Sequence, residues 1–371
     1  MRLLCSVAFV LLLAAPAVAQ PAATQPAGAQ DAARMEEFVQ AAMQKHNFMG
    51  TVLVARGDEI LLNKGYGQAN VEWNIPNTPA TKFRLGSLTK QFTAALILLL
   101  EERGKLAIED PLSKHMADVP AAWSAITLHH LLTHTSGIPN VTALPEFATY
   151  QPFATTVEKT IALVRDKPLD FMPGDRMSYS NSGYLVLGHL VERISGQSYE
   201  TFLKATILDP LGMKDTGLDS NATIIPRRAA GYTNSATGLV NAGFVHMSVP
   251  HGAGAMYSTT EDLLRWERGL FGGKVVSAAS LRKMTTPFKN NYAFGVAVVT
   301  LNGKTRVAHG GGIQGFNTAL SYDPDARIVV VVLANVNGPA ADNLALTLMF
   351  AARGEAITAL KDDAGTVMER K

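Results

Sequence analysis

Cysteine is almost absent from this chain. Its 371 residues include one cysteine, Cys5, close to the start. If the first residues are removed during maturation, the remaining chain has none. Disulfide bridges, a thiol nucleophile and cysteine-ligated metals are then excluded, and the fold must be held together by packing alone.

The apolar run at the start of the chain is too short for a membrane span. It covers residues 3–15, whereas a spanning helix needs roughly 20 apolar residues. The run follows Arg2 and leads into Pro16-Ala-Val-Ala-Gln20, which is the pattern of a secretory signal peptide. We predict a signal peptide over residues 1–19, cleaved after Ala19, and a periplasmic or secreted protein; an uncleaved anchor is the alternative.

An excess of charge of one sign is missing as well. The formal net charge is +2, and basic and acidic residues are scattered along the chain without a basic stripe or an acidic tail. The composition therefore gives no indication of a nucleic-acid partner. At roughly 150 residues per domain, the length corresponds to about two structural units.

Apolar periodicity predicts strands at both ends of the chain and helices between them. Residues 20–30, rich in proline, alanine and glutamine, predict a disordered linker before a helix over 31–46 with Asp31 as its N-cap. Two β-rich runs around Gly57 predict a hairpin. The other predicted helices cover 89–103, 128–133, 184–194, 199–207 and 341–352, and the predicted strands cover 51–55, 59–63, 294–301, 306–308, 316–322 and 328–334.

This order of elements predicts an α/β (α+β) fold. We expect an antiparallel β-sheet flanked by terminal helices, with an inserted, mainly helical domain. The sheet domain is predicted to comprise residues 31–80 and 262–371, and the helical domain residues 81–261. A cleft between the two is the expected place for a functional site.

Ser87 and Lys90 stand three residues apart at the start of the longest apolar helix, so they share a helix face. A serine beside an amine, at a helix N-terminus, suits attack on a carbonyl. An ordinary lysine is neutral in only about four molecules per ten thousand at pH 7, so burial and a second polar group are needed. The same spacing at Ser280 and Lys283 is interpreted as a chance match on a surface helix.

Two further segments carry groups of the kinds that such a serine needs. Tyr179-Ser-Asn181 offers a tyrosine as base or proton shuttle and an asparagine to orient the lysine and a substrate carbonyl. His309-Gly-Gly-Gly312 offers backbone N–H donors for an oxyanion. The alternatives are a turn or cap for the first segment, as for the similar Tyr232-Thr-Asn234, and a flexible glycine turn for the second.

Together these segments resemble the serine β-lactamase-related hydrolases: class C β-lactamases, D-Ala-D-Ala carboxypeptidases, and related esterases and D-aminopeptidases. The resemblance covers about residues 35–350. The matching segments, in the family's order, are Phe83-Arg-Leu-Gly-Ser-Leu-Thr-Lys90, Leu131-Leu-Thr-His-Thr-Ser-Gly137, Tyr179-Ser-Asn181, Tyr184-Leu-Val-Leu-Gly188, Pro210-Leu-Gly-Met213 and His309-Gly-Gly311.

The resemblance implies a β-lactamase/transpeptidase-like fold and a division of roles within an acyl-enzyme mechanism. Ser87 would be acylated, Lys90 and Tyr179 would share its proton, and Asn181 would position Lys90 and the substrate. The amides of Ser87 and Gly312 would hold the oxyanion. The resemblance implies a small-molecule or peptide substrate and no cofactor or metal, and it leaves the oligomeric state open.

The third segment departs from the Lys-Thr-Gly usual in the β-lactamases of this family. His309, Gly310 and Gly311 stand in its place, so the threonine hydroxyl is missing and the lysine is replaced by a histidine, which at its ordinary pKa of about 6.5 would be largely neutral at pH 7. We therefore expect weak or no β-lactamase activity. An ester, a D-amino-acid peptide and a β-lactam all remain open as substrates.

The motifs also bear on three other classes of function. His129, His130 and His134 could suggest a metal hydrolase, but no His-Glu-x-x-His occurs, and the resemblance places His134 in a structural helix–loop segment. No Gly-x-Ser-x-Gly occurs either, which argues against an α/β-hydrolase. A catalytically silent cell-wall ligand-binding protein remains the alternative outside the enzymes.

Overall fold

The computed structural model describes residues 27–117, 119–301 and 303–355. The predicted signal peptide with Cys5 and its cleavage site lies outside the described residues, as do linker residues 20–26 and Asn302. None of the helices within the described ranges is long and apolar enough to cross a membrane.

The strands form one large antiparallel sheet and three small ones. The large sheet has the strand order β10–β11–β12–β13–β1–β2. The bounds are β1 Gly50–Arg56, β2 Glu59–Tyr66, β3 Gln68–Asn70, β4 Ile75–Pro76, β5 Phe83–Arg84, β6 Gly217–Leu218, β7 Tyr232–Ser235, β8 Gly238–Asn241, β9 Met256–Ser258, β10 Ala297–Leu301, β11 Lys304–Ile313, β12 Phe316–Asp323, β13 Ile328–Ala334 and β14 Val336–Asn337.

Helices lie on both faces of the large sheet. Their bounds are α1 Ala27–His46, α2 Thr89–Glu102, α3 Leu128–Leu132, α4 Phe147–Tyr150, α5 Val157–Arg165, α6 Asn181–Ser195, α7 Tyr199–Leu203, α8 Asp209–Leu211, α9 His251–Gly254, α10 Thr260–Phe271, α11 Ala278–Thr285 and α12 Ala340–Ala352. Four 3₁₀ turns (Gly86–Leu88, Leu112–Lys114, Ala121–Trp123 and Val141–Ala143) and a π-helical segment, Lys204–Leu208, complete the described elements.

The central pairing joins the two ends of the chain. Val52 of β1 lies opposite Val332 of β13, and every residue of β13 is buried because helices cover both of its faces. Val330 and Val332 face a core shared with α1 and α12, whereas Val331 and its alternate neighbours face the larger core of the helical region. The predicted α/β (α+β) fold, with an antiparallel sheet and terminal helices, is confirmed.

Two local predictions are wrong. The last four residues of the predicted linker are helical, because α1 begins at Ala27 rather than after Asp31. Alanine and glutamine there have high helix propensity, and α1 packs on α12. In addition, the strand predicted over 306–308 is too short: it continues as β11 through the glycines to Ile313, because residues up to Ile313 pair with β12, and this excludes the alternative of a flexible glycine turn. The predicted domain boundary at residue 262 falls inside α10.

Candidate active site

Ser87 lies in a tight turn held against the large sheet. The turn, Gly86–Leu88, is 3₁₀-helical and runs directly into α2. The residue before it is fixed on both sides: the Leu85 N–H donates to Met256 O at 2.8 Å, and Thr318 Oγ1 donates to Leu85 O at 2.7 Å. Ser87 itself is half-buried. Its hydroxyl therefore stands on a rigid support with access from outside.

Lys90 brings its amine to Ser87 from inside the protein. Its side chain is fully buried, and Nζ lies 3.0 Å from Ser87 Oγ. Nζ also lies 2.8 Å from Asn181 Oδ1 and 2.8 Å from the carbonyl oxygen of Ala253. Burial lowers the pKa of Lys90 well below its ordinary value. The amine thus has the burial and the polar neighbours that a lysine base needs.

Asn181 is oriented by residues that the motif reasoning did not include. Its side-chain Nδ2 donates to Asn140 Oδ1 at 3.3 Å and to Thr142 Oγ1 at 3.2 Å. Its backbone N–H also donates to Asn140 Oδ1, at 3.0 Å. Because these acceptors hold the amide nitrogen, the amide oxygen is turned towards Lys90. In the sequence, the loop Gly137-Ile-Pro-Asn140 is the only indication of these two residues, and it contains no catalytic motif.

Tyr179 lies beside the same amine. The centroid of its ring is 4.9 Å from Lys90 Nζ and 4.3 Å from the centroid of the His134 ring. The ring is half-buried, two residues before the first residue of α6. The structure therefore brings Ser87, Lys90, Tyr179 and Asn181 together from the start of α2 and the start of α6.

His309 faces this group from β11, but both of its ring nitrogens are bonded within the protein. Nδ1 is hydrogen-bonded to Gly310 O, which can only accept, so Nδ1 carries the proton. In the neutral ring Nε2 then accepts the hydroxyl hydrogen of the buried Tyr292, at 2.9 Å. Burial raises the pKa of Tyr292 well above its ordinary value. Tyr292 is a site residue that motif reasoning missed, since nothing marked it in the sequence.

The glycines of β11 serve close packing beside Ser87. A Cβ at Gly311 would lie 2.0 Å from Leu85 O, and one at Gly86 would lie 2.8 Å from Gly312 N. Only glycine permits the strand to approach the turn this closely. Since β10 pairs with β11 only as far as Ala308, the strand edge beyond that residue faces the site. The Gly312 amide is thereby placed next to the turn that carries Ser87.

The second Ser-x-x-Lys segment has a different environment. Ser280 and Lys283 lie on α11, where Lys283 Nζ donates to Glu101 Oε2 at 2.7 Å and its side chain is half-exposed. Ser280 is buried and accepts a hydrogen bond from Ser277. Tyr232 and Asn234, the other chance match, lie on β7. Neither segment assembles polar groups of the kind found around Ser87.

The three clustered histidines have separate environments. His129 packs edge-on against Phe288, with ring centroids 4.7 Å apart, whereas His130 completes the N-terminal cap of α3 with Thr127. His134 lies under Tyr179. Within the described ranges no group of three histidine, cysteine or acidic residues is arranged to hold a metal ion.

Known proteins share both the sequence pattern and the fold. The Beta-lactamase family profile matches residues 35–353. Penicillin-binding protein 4* of Bacillus subtilis is 33% identical over 315 residues, which are 79% of this chain and 69% of that protein.

Two solved structures superpose on most of the chain. The octameric penicillin-binding protein homologue from Pyrococcus abyssi has a TM-score of 0.78 and 30% identity, covering 88% of this chain and 78% of that one. A penicillin-binding protein from Bacillus halodurans has a TM-score of 0.76 and 27% identity, covering 84% of this chain and 98% of that one. The chain therefore belongs to the Beta-lactamase family, as its motifs predicted, and shares the fold of these penicillin-binding proteins.

Proposed function

We propose that this protein is a serine hydrolase that forms an acyl-enzyme at Ser87. The observation that carries the proposal is the fully buried Lys90 amine, 3.0 Å from the Ser87 hydroxyl and with a pKa well below its ordinary value because of burial. A base of this kind must be neutral at the operating pH and within hydrogen-bond reach of the proton that it removes.

The neutral amine, which burial favours, can bond to all three of its polar neighbours. Asn181 Oδ1, oriented as described, and Ala253 O can only accept, so they use two N–H groups. A neutral amine has two N–H groups and one lone pair. The lone pair is then left for the Ser87 hydroxyl, which donates its hydrogen to Nζ. This is the arrangement from which the serine oxygen can attack.

The proposed reaction has two halves. As Ser87 Oγ bonds to the substrate carbonyl carbon, its proton moves to Lys90 Nζ, and the oxyanion is held by the amides of Ser87 and Gly312. When the bond to the leaving group breaks, the proton passes to that group by way of Lys90 and Tyr179. Water then attacks the acyl carbon and loses a proton to the same pair, which passes it to Ser87 Oγ as the bond to the acyl carbon breaks and the acid is released.

We propose carboxylic esters and D-amino-acid peptides as better substrates than β-lactams. The support is the third segment: His309 has both ring nitrogens bonded to Tyr292 and Gly310. It is thus not arranged to offer a positive charge to a substrate carboxylate, as the usual lysine does. The proposal needs no cofactor, and export to the periplasm or medium through the predicted signal peptide remains part of it.

The test is a panel of a fluorescent penicillin, nitrocefin, p-nitrophenyl esters and D-amino-acid p-nitroanilides, used on the wild type, Ser87→Ala and Ser280→Ala. We expect turnover of an ester or a D-amino-acid substrate, its loss in Ser87→Ala and its retention in Ser280→Ala. Full activity of Ser87→Ala would contradict the assignment of the nucleophile. Nitrocefin turnover as fast as ester turnover would contradict the substrate preference.

A further inference from the structure

His134 contacts the segment that carries Tyr179 at three points. Its carbonyl oxygen accepts the Ser178 N–H at 2.9 Å, and its ring Nδ1 accepts the Ser180 N–H at 3.2 Å. Its ring lies against the ring of Tyr179, with centroids 4.3 Å apart and planes tilted by 39°. The residues on either side of Tyr179 are therefore both bonded to one histidine, which also supports the tyrosine ring.

The hydrogen bonds define the tautomer of His134. Since Nδ1 accepts a backbone N–H, the proton of the neutral ring is on Nε2. Nε2 is buried and has no hydrogen-bond partner among the described residues, and the side chain is 2% exposed. Burial, with Lys90 and His309 acting in the same direction, lowers the pKa of His134 well below its ordinary value. The ring is thus a neutral acceptor enclosed in the protein.

A buried donor without a partner is unfavourable, and an apolar ring would avoid it. His134 also has φ of 58°, in the left-handed region where most side chains are strained. Packing alone therefore gives no reason for a histidine at this position. The acceptor at Nδ1 supplies one, because no apolar ring could bond the Ser180 N–H.

We infer that His134 is a positioning residue for Tyr179: by bonding the backbone on both sides of it, His134 holds the tyrosine ring against Lys90. The inference rests on the proposed function, in which Tyr179 and Lys90 share the serine proton. It goes beyond that function by giving a role to the Leu131-Leu-Thr-His-Thr-Ser-Gly137 segment, which the mechanism does not otherwise use.

The decisive comparison is His134→Asn against His134→Gly. Both residues tolerate a positive φ and both remove the ring, but only asparagine keeps an acceptor near the position of Nδ1. With p-nitrophenyl acetate we expect kcat of His134→Gly to be about tenfold below that of His134→Asn, since small displacements of a proton-transfer group are costly in rate. KM is expected to stay within about twofold, because a positioning residue does not contact substrate.

A second readout separates positioning from general stability. In a Tyr179→Phe background the two His134 variants should have equal kcat, because the group that they position is gone. The same tenfold gap in that background would overturn the inference. So would equal kcat values of the two variants in the Tyr179 background.

Ser87→Ala and Tyr179→Phe test the proposed function separately from the inference about His134. If both keep wild-type turnover, the function is wrong; if Ser87→Ala abolishes turnover and Tyr179→Phe lowers it to a measurable residual rate while His134→Asn and His134→Gly match each other, only the inference about His134 is wrong. If the His134 variants do not fold, a measurement on the wild-type protein still tests the inference. ¹⁵N NMR of the His134 ring should show Nε2 protonated and Nδ1 unprotonated at pH 7–8, and a proton on Nδ1 would contradict the hydrogen bond to Ser180.

Discussion

The amine of Lys90 lies 3.0 Å from the hydroxyl of Ser87, although the two residues belong to different kinds of helical turn. Ser87 is in the 3₁₀ turn Gly86–Leu88 and Lys90 is in the first turn of α2. The backbone is helical through both turns, so side chains three residues apart lie on one face and can make a short contact. The spacing explains the contact, whereas the buried surroundings explain why the amine can act as a base.

Removal of the Lys90 amine should abolish acylation. We expect Lys90→Met to lower kcat/KM for p-nitrophenyl acetate by at least about a hundredfold, the usual contribution of a general base. Lys283→Met, in the second Ser-x-x-Lys segment, is the matched control and should keep wild-type kcat/KM. The melting temperature of Lys90→Met would show that the variant is folded. Comparable kcat/KM values for the two variants would contradict the proposed role of Lys90.

The pH profile should report the buried amine. Because the pKa of Lys90 is lowered by burial, the neutral form persists to a lower pH than for an exposed lysine. The acylation rate should therefore reach its plateau at a lower pH than it would with an exposed lysine, and it should fall as acidification protonates Lys90 through its lowered pKa. Stopped-flow measurement of acylation from pH 5 to 10 checks this. A rate that still rises tenfold per pH unit between pH 8 and 10 would indicate an unperturbed lysine, whose pKa is about 10.4.

Tyr292 should act on the site only through His309. Tyr292→Phe removes the hydroxyl that His309 Nε2 accepts at 2.9 Å, and one hydrogen bond corresponds to about 1 kcal/mol, or about fivefold in rate. We expect that loss of kcat/KM in the wild-type background and no further loss in a His309→Ala background. The double-mutant cycle on ester hydrolysis measures it. Strictly multiplicative effects would show that Tyr292 acts by another route.

A threonine at position 310 should destabilise the protein without creating a β-lactamase. A Cβ at Gly310 lies 2.6 Å from Asp342 Oδ1 of α12, so its side chain would face the terminal helix. We expect Gly310→Thr to cost about 1–3 kcal/mol in unfolding free energy, with a smaller cost in an Asp342→Ala background. Denaturant unfolding and nitrocefin turnover check both statements. A large gain in nitrocefin turnover would show that the hydroxyl reaches the substrate.

Glu267 should make the protein less stable as pH rises. This buried residue of α10 has Oε2 without a hydrogen-bond partner in the described chain, and burial raises its pKa from 4.5 to about 8. Between pH 4.5 and 8 the folded state therefore holds a proton that the unfolded state releases. The contribution of Glu267 to the free energy of unfolding is complete below pH 4.5, and it is lost as the pH rises through 8.

Glu267→Met removes the titrating group and keeps a similar volume. Its melting temperature relative to wild type should increase steadily from pH 5 to 8, because only the wild type must retain the extra proton. Thermal unfolding at several pH values measures the difference. A difference that is constant with pH would mean that Glu267 ionises in the folded protein as it does in the unfolded chain.

The local elements were largely predictable from sequence. The strand predicted over 328–334 has those bounds as β13, because a run of β-branched residues buried on both faces is an unambiguous pattern. The contact of Ser87 with Lys90 was predictable for a similar reason, since it spans three residues. Composition predicted the bounds of two elements poorly, because tertiary packing sets these bounds. Helix α1 starts inside the predicted linker, and β11 continues through glycines that by composition resemble a turn.

Motif order alone determined the family and predicted the serine and its lysine, because these depend on residues close together in the chain. Only the tertiary structure decided the environment of the lysine. The Ala253 carbonyl that binds its amine is 163 residues away, and Asn140 and Thr142, which orient Asn181, come from another loop. Tyr292 and His309 likewise meet only through folding. Such contacts join segments whose local periodicity carries no information about one another, so burial and hydrogen-bond geometry decided them.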